Sequence, residues 1–203
     1  MATVQPPRCA VLHTPAWPIT AAILHEPETF GPTQPLAVFH AQRVLSCSPL
    51  AWREGVRPGQ RRRQAQGACP HLVIVPFNAD ARMYEPLVQS IGALVPLIDV
   101  ENPGSLLLAT RGPSRYVGGD NALAVRLLTL ASEGLSHANQ GLNVDEVMTA
   151  GGGLGVGIAD GRVAATLAAR SSSRRGEPVV IQPGMQATAD FLAPYAVKVL
   201  TAV

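Results

Sequence analysis

Residues 35–76, PLAVFHAQRVLSCSPLAWREGVRPGQRRRQAQGACPHLVIVP, carry the clearest structural signals in the chain. Residues 36–39 and 44–47 are short β-type runs separated by a polar break, which predicts a hairpin. Ser48 followed by Pro49 is typical of a helix N-cap with proline at the first helical position. We therefore expect a hairpin that leads into a short helix.

The second half of this stretch combines a second short helix with an unusual density of arginine. That helix ends at Gly67 and Pro70, and an apolar strand follows over residues 72–75. The stretch holds six of the sixteen basic residues of the chain, and between residues 43 and 63 the only acid is Glu54. The six are Arg43, Arg53, Arg57, Arg61, Arg62 and Arg63. Such a run is typical either of a solvated helix face or of a surface that contacts phosphates.

Composition places the chain among globular proteins. Its 203 residues are 47% hydrophobic and 15% charged, with a net charge of only +2. Cys9, Cys47 and Cys69 form no C-x-x-C pair, so the sequence suggests neither a disulfide framework nor a zinc site. No signal peptide is recognisable and no apolar run reaches the ~18 residues of a membrane span. We expect a cytoplasmic protein with no membrane association.

Outside the arginine-rich stretch, strands and helices alternate in a regular order. The predicted elements are strand 9–13, helices 19–24 and 84–95, strands 97–100 and 105–110, helix 120–135, strand 156–159 and helix 160–170. Pro103-Gly104 is typical of a type II turn between the two middle strands. This is the βαββαβ order of a ferredoxin-like α+β sheet. Asn78 or Asp80 is the candidate cap of the helix near 84–95, and 171–176 is predicted to be a flexible basic linker.

Taken in order, these motifs resemble the fingers of Y-family DNA polymerases (UmuC/DinB-like), and most of all the ImuB-type, mutagenesis-associated members. The matching residues are Pro35-Leu36-Ala37-Val38, Arg43-Val44, Cys47-Ser48, Arg53, Gly55-Val56-Arg57, Gly59, Arg61-Arg62-Arg63, Ala65, Cys69-Pro70 and Val73. The resemblance implies a ferredoxin-like polymerase palm in residues 1–24 and 71–170. It further implies an inserted fingers subdomain in 25–70 and the truncated start of a thumb-like segment in 171–203.

The same resemblance locates the positions where a polymerase would hold its metal ions. Members of the family bind two Mg²⁺ ions through two acids around the first strand and an Asp-Glu pair in the hairpin, since hard cations need several converging carboxylates. Here these positions fall on His13, Pro15, Gly104 and Ser105. We therefore expect no metal, no cofactor and no catalytic residue, and thus a pseudo-polymerase.

What the resemblance implies is a non-catalytic scaffold in damage-induced (SOS) translesion synthesis and DNA repair. DNA would be contacted through the phosphates by the six arginines. By resemblance, further partners are an active replicative-type polymerase, a RecA-like accessory protein and the sliding clamp, and we expect the clamp-binding tail to be absent.

Two other functions remain open from the residues. An active nucleotidyltransferase could hold metals through relocated acids such as Asp99, Glu101 and Asp120, or a ferredoxin-like module could bind an acidic protein through its arginines. The Gly153-x-Gly155-x-Gly157 pattern suggests a nucleotide loop, but these glycines precede a strand and no lysine follows them.

Overall fold

A computed structural model describes residues 6–77 and 81–200. The strands are β1 Arg8–His13, β2 Leu36–His40, β3 Arg43–Cys47, β4 Val73–Pro76, β5 Ile98–Asn102, β6 Ser105–Ala109, β7 Gly155–Asp160 and β8 Val179–Val180. The helices are α1 Trp17–His25, α2 Pro49–Arg53, α3 Arg62–Ala68, α4 Glu85–Gly92, α5 Arg111–Val117, α6 Asp120–Ala138, α7 Val144–Ala150, α8 Arg162–Arg175, α9 Met185–Leu192 and α10 Val197–Leu200. The candidate caps Asn78 and Asp80 lie outside the described residues.

The main sheet has the strand order β5-β6-β1-β7-β8, with β1 in the centre and antiparallel to both β6 and β7. Alternate residues of β1 point to opposite faces, as the period of a strand requires. Ala10 and Leu12 join α1 and α6 in the larger core, whereas Cys9 and Val11 face α8. Strands β1, β5, β6 and β7, with helices α1 and α6 on one face, make the predicted ferredoxin-like α+β fold. This prediction is confirmed.

Helix α8 covers the other face of the sheet, and two glycines of β7 allow it to lie there. A Cβ added to Gly155 would lie 2.2 Å from the Ala169 carbonyl oxygen, and one added to Gly157 would lie 2.2 Å from the Ala169 nitrogen. Only the absence of side chains lets the helix backbone approach so closely. The glycine pattern therefore serves the packing of a helix on a strand.

The flexible linker predicted at 171–176 is wrong, because these residues continue α8 up to Arg175 and end it at Gly176. Ser171, Ser172 and Ser173 are buried, and the Ser172 hydroxyl accepts a hydrogen bond from the Val156 N–H at 3.0 Å. A serine whose hydroxyl is hydrogen-bonded inside the protein can lie in a packed helix, although its polar side chain suggests a loop when only the sequence is considered. The chain then adds β8 to the palm sheet, parallel to β7. Residues 171–175 thus belong to α8 and residues 179–180 to the main sheet.

A second, smaller sheet has the order β3-β2-β4. The predicted hairpin of β2 and β3 is confirmed, and the Ser48 side chain caps α2 by accepting from the Ala51 N–H. Strand β4 pairs with β2 in parallel, so the small sheet includes residues beyond position 70. Its own core is formed by Ala37, Val44, Ala51, Val56, Ala65, Cys69 and Leu72.

Asp120 and Asp160 lie at the starts of α6 and α8 but do not cap them, since glycines 119 and 161 occupy the N-cap positions. Both carboxylates instead bind Arg8, at 2.5 Å and 3.0 Å. Helices α5 and α7 were not predicted from the sequence. Across residues 6–77 and 81–200, no helix combines the length and apolar character needed to cross a membrane.

Candidate functional site

The structure brings the four expected catalytic positions to one end of β1. His13 pairs with Ser105 across the β1–β6 ladder, and the Thr14 N–H donates to the Gly104 carbonyl at 2.8 Å. Pro15 follows at the exit of the strand. The four side-chain positions therefore share one place at the centre of the palm, and none of them offers a carboxylate.

Gly104 stands where no side chain fits. It has φ of +103°, as expected for the glycine of the predicted turn, and an added Cβ would lie 2.6 Å from the Cβ of Trp17. Trp17 is 2% exposed and packs edge-on against Tyr84, with 4.7 Å between the ring centroids. The rings of Trp17 and Tyr84 thus fill the space beside the turn at Gly104.

His13 lies in a positive and poorly solvated environment. Burial, with the guanidinium groups of Arg170 and Arg174 adding to it, lowers the pKa of His13 from 6.5 to about 4. Its Nδ1 atom has no hydrogen-bond partner among the described residues. At neutral pH the imidazole is therefore uncharged.

A cleft of about 540 Å³ opens between His13 and the small sheet. One wall is apolar and is formed chiefly by Pro15, Leu45, Pro49, Trp52 and Pro58. The cationic part of the lining is Arg53 from α2 together with Arg170 and Arg174 from α8. No acidic residue of the described chain lines this cleft.

Arg170 and Arg174 were missed by the sequence analysis. They are four residues apart, so they lie on the same face of α8. The expected linker at 171–176 hid this relationship, because a helix was predicted only as far as residue 170. A serine-rich helix end with arginines at this spacing is the signal that could have revealed them.

The six arginines predicted to bind DNA do not form a single surface. Four of them surround one outer concavity of the small sheet, together with the turn at Ala41 and Gln42; these are Arg43, Arg61, Arg62 and Arg63. All four are exposed. The concavity measures about 600 Å³, and no acid of the described chain lines it. We call this set the outer arginine surface.

Arg53 and Arg57 lie apart from that surface. Arg53 is exposed in the cleft, whereas Arg57 is half-buried and stacks on the Trp52 ring, 4.1 Å from its centroid. An Arg57 N–H also donates to the Val56 carbonyl at 2.8 Å. The guanidinium of Arg57 thus supports the local structure as well as adding charge.

The acids considered as relocated metal ligands are dispersed. Glu101 pairs with Arg162 at 2.8 Å, and Asp120 pairs with Arg8 at 2.5 Å, at the opposite end of β1 from His13. Asp99 is exposed on the edge strand β5. Within residues 6–77 and 81–200, no three His, Cys, Asp or Glu side chains are grouped so that they could hold a metal ion.

The fold is the palm fold of the Y-family DNA polymerases. A family model described as impB/mucB/samB matches residues 18–101, and a comparison with curated protein sequences found no match.

Three solved structures illustrate the similarity. A Dbh ternary complex is 17% identical with a TM-score of 0.68, over 91% of this chain and 50% of that one. DinB from Sulfolobus solfataricus is 16% identical with a TM-score of 0.62, over 91% and 50%. A Y-family DNA polymerase chimera of Dbh and Dpo4 is 15% identical with a TM-score of 0.66, over 95% and 53%. The chain thus spans about half the length of the structures it matches.

Proposed function

We propose that this chain is a non-catalytic, ImuB-type relative of the Y-family polymerases that binds DNA as a scaffold in damage-induced translesion synthesis and repair. The observation that carries the proposal is the contrast between two places in the structure. The end of β1 presents His13, Pro15, Gly104 and Ser105 where metal-binding carboxylates are expected, while the outer arginine surface gathers four exposed guanidinium groups.

The chemistry of each place supports one half of this function. Two-metal phosphoryl transfer requires several carboxylates at one point, and imidazole, proline, glycine and serine do not supply them. Exposed guanidinium groups neutralise backbone phosphates and release counterions, which gives affinity without sequence preference. The protein would therefore hold DNA and leave synthesis to another enzyme.

The partners and place of action belong to the same proposal. They are an active replicative-type polymerase, a RecA-like accessory protein and the sliding clamp, all in the cytoplasm. These assignments rest on the resemblance of the sequence to the ImuB-type members, whereas the similarity of the fold to DNA polymerase complexes supports the contact with DNA.

A salt titration with a fluorescent duplex tests the DNA-binding half. The variant R61A/R62A/R63A should bind more weakly, and the slope of log K against log salt should fall by about 2 to 3 because three phosphate contacts are lost. A matched control, R111A/R115A/R126A, removes the same charge from exposed arginines of α5 and α6. Equal loss in both variants would show that net charge alone governs binding, and would contradict the proposal.

Primer extension tests the other half. Purified protein with a primed template, deoxynucleotides and Mg²⁺ or Mn²⁺ should yield no extended product. Extension that persists after repurification, and that is abolished by D99N/E101Q, would instead establish an active nucleotidyltransferase.

A further inference from the structure

The segment that follows α8 is attached to the main sheet at few points. We call residues 179–192, which comprise β8 and α9, the strap. None of the residues 179–192 is buried, whereas all six residues of β7, the strand with which the strap pairs, are buried. The strap therefore contributes little to the core of the palm.

The apolar and backbone contacts of the strap are limited. Strand β8 pairs with β7 over two residues, and the Ile181 N–H adds one hydrogen bond to the Ile158 carbonyl at 2.8 Å. Helix α9 packs on the sheet through Phe191 and Leu192, which are half-buried against the apolar cluster of β1, β7 and α8. Segments with few buried apolar contacts open at a lower free energy than the core around them.

Two charged side chains of the palm provide the polar part of the attachment. Asp160 ends β7, its side chain is 3% exposed, and its Oδ2 atom accepts a hydrogen bond at 2.7 Å from the N–H of Gly184, the N-cap of α9. Arg8 donates from Nη2 to the Ile181 carbonyl at 2.7 Å and from Nη1 to Asp160 at 3.0 Å. Hydrogen bonds to ionised groups are stronger than neutral ones, so this pair holds the strap at both ends of its loop.

We propose that the strap opens and closes on the palm as one unit, and that the Arg8–Asp160 pair is the latch that keeps it closed. The hinge is Gly176, which ends α8 with φ of +77° and has nothing within 4 Å of an added Cβ. Such a position absorbs a change of backbone direction at little cost. In the open form the outer edge of β7 and the apolar cluster beneath Phe191 and Leu192 become accessible.

Asp120 provides a matched control within the same network. Its carboxylate also binds the Arg8 guanidinium, at 2.5 Å, and it accepts a hydrogen bond from the Ser114 hydroxyl. Neither of these partners belongs to the strap. Asp120→Asn and Asp160→Asn therefore each remove one negative charge from Arg8, but only the second weakens a direct contact with the strap.

This inference goes beyond the proposed function and does not depend on it. The strap lies beside β7 of the main sheet, whereas the outer arginine surface belongs to the small sheet. Loss of duplex binding in R61A/R62A/R63A concerns the arginine surface, and the exchange rates described next concern the strap. Each proposal can therefore fail alone.

Native-state hydrogen exchange on the full chain, followed by NMR, tests whether the strap opens by itself. The Ile181 and Gly184 amides should exchange at least about 100-fold faster than the amides of the ladder between β1 and β6, because they require only local opening. Low concentrations of urea should accelerate the ladder amides and leave the strap amides nearly unchanged. Equal rates with equal urea dependence would show that the strap opens only with the whole palm, and would overturn the proposal.

The two aspartate variants test the latch. D160N should accelerate exchange of the strap amides by about 10-fold or more relative to the ladder amides, because charge-assisted hydrogen bonds are lost. D120N should leave this ratio as in the wild type. The ratio corrects for any general loss of stability, since global unfolding moves both sets of amides together. The same change of ratio in both variants, or in neither, would overturn the assignment of the latch.

Limited cleavage by chymotrypsin after Phe191 gives a second readout. A protease reaches a half-buried helical site through its open form, so the initial rate follows the open population when closing is fast. The rate should be about 10-fold higher in D160N than in D120N, with the products identified by mass spectrometry. Equal rates in the two variants would contradict the latch.

Discussion

Gly104 and Trp17 are so close that the turn between β5 and β6 has no room for a side chain. A Cβ on Gly104 would lie 2.6 Å from the Trp17 Cβ and 3.1 Å from the Thr14 carbonyl oxygen. The position at which the resemblance expects a metal-binding carboxylate is thus sterically closed as well as uncharged. The tryptophan is part of the core, so it cannot move aside without disturbing α1.

Gly104→Ala should therefore destabilise the fold more than backbone strain alone explains. We expect a loss of about 3 kcal/mol or more, from the positive φ together with the contact with Trp17. Gly118→Ala is the control, because its φ of +96° is similar and nothing lies within 4 Å of the added methyl. That variant should lose only about 1 to 2 kcal/mol. Urea unfolding of both compares them directly, and equal losses would contradict the steric argument.

Gly157→Ala should separate α8 from the sheet. The added methyl would lie 2.2 Å from the Ala169 nitrogen and 2.3 Å from the Ala165 carbonyl oxygen, and backbone atoms cannot turn away as side chains do. We expect a loss of about 3 to 5 kcal/mol in the free energy of unfolding. Gly67→Ala, in open space on α3, should be neutral or slightly stabilising. Thermal unfolding that shows no difference between them would refute the close packing.

His13 should make the stability depend on pH in the acidic range. Its pKa is about 4 in the folded protein and 6.5 as the ordinary value, so the unfolded chain binds the extra proton first as pH falls. Stability should accordingly decrease from about pH 6.5 down to pH 4, by up to about 3 kcal/mol. His13→Gln should remove this part of the dependence. Unfolding curves at pH 7 and pH 4.5 test it, and parallel losses in both proteins would exclude His13 as the cause.

Arg8 should contribute far more to the free energy of unfolding than an arginine in a surface ion pair does. Its guanidinium contacts Asp120 at 2.5 Å and Asp160 at 3.0 Å, where the Asp160 side chain is only 3% exposed. Arg8→Ala should cost about 3 to 5 kcal/mol, because a buried carboxylate loses its compensating charge. Arg126→Ala breaks the exposed pair with Glu133 at 3.9 Å and should cost less than about 1 kcal/mol. Denaturant midpoints rank the two, and similar costs would contradict the buried network.

Local signals in the sequence predicted much of the fold. The hairpin of β2 and β3, the Ser48 cap and the turn at Pro103-Gly104 each depend on neighbouring residues, and all are present. Strand β4 was found, but its parallel partner was not, because parallel pairing is a long-range contact with no local signature.

Less of the candidate site could be predicted from local signals in the sequence. The convergence of His13, Pro15, Gly104 and Ser105 followed from the resemblance, and the register between β1 and β6 places them together. The group of three arginines that lines the cleft could not be predicted from the sequence. Arg170 and Arg174 become neighbours of Arg53 only once the serines at 171–173 are known to be buried and helical.

The central position of β1 has a consequence for biosynthesis. Cys9 pairs with Ala109 on one side and with Ala159 on the other, and the second contact joins residues 150 positions apart. Strand β1 therefore cannot complete its pairing until β7, which follows it by about 150 residues, has left the ribosome. Meanwhile its apolar residues are exposed, and chaperone capture of nascent chains should depend on how quickly β7 emerges.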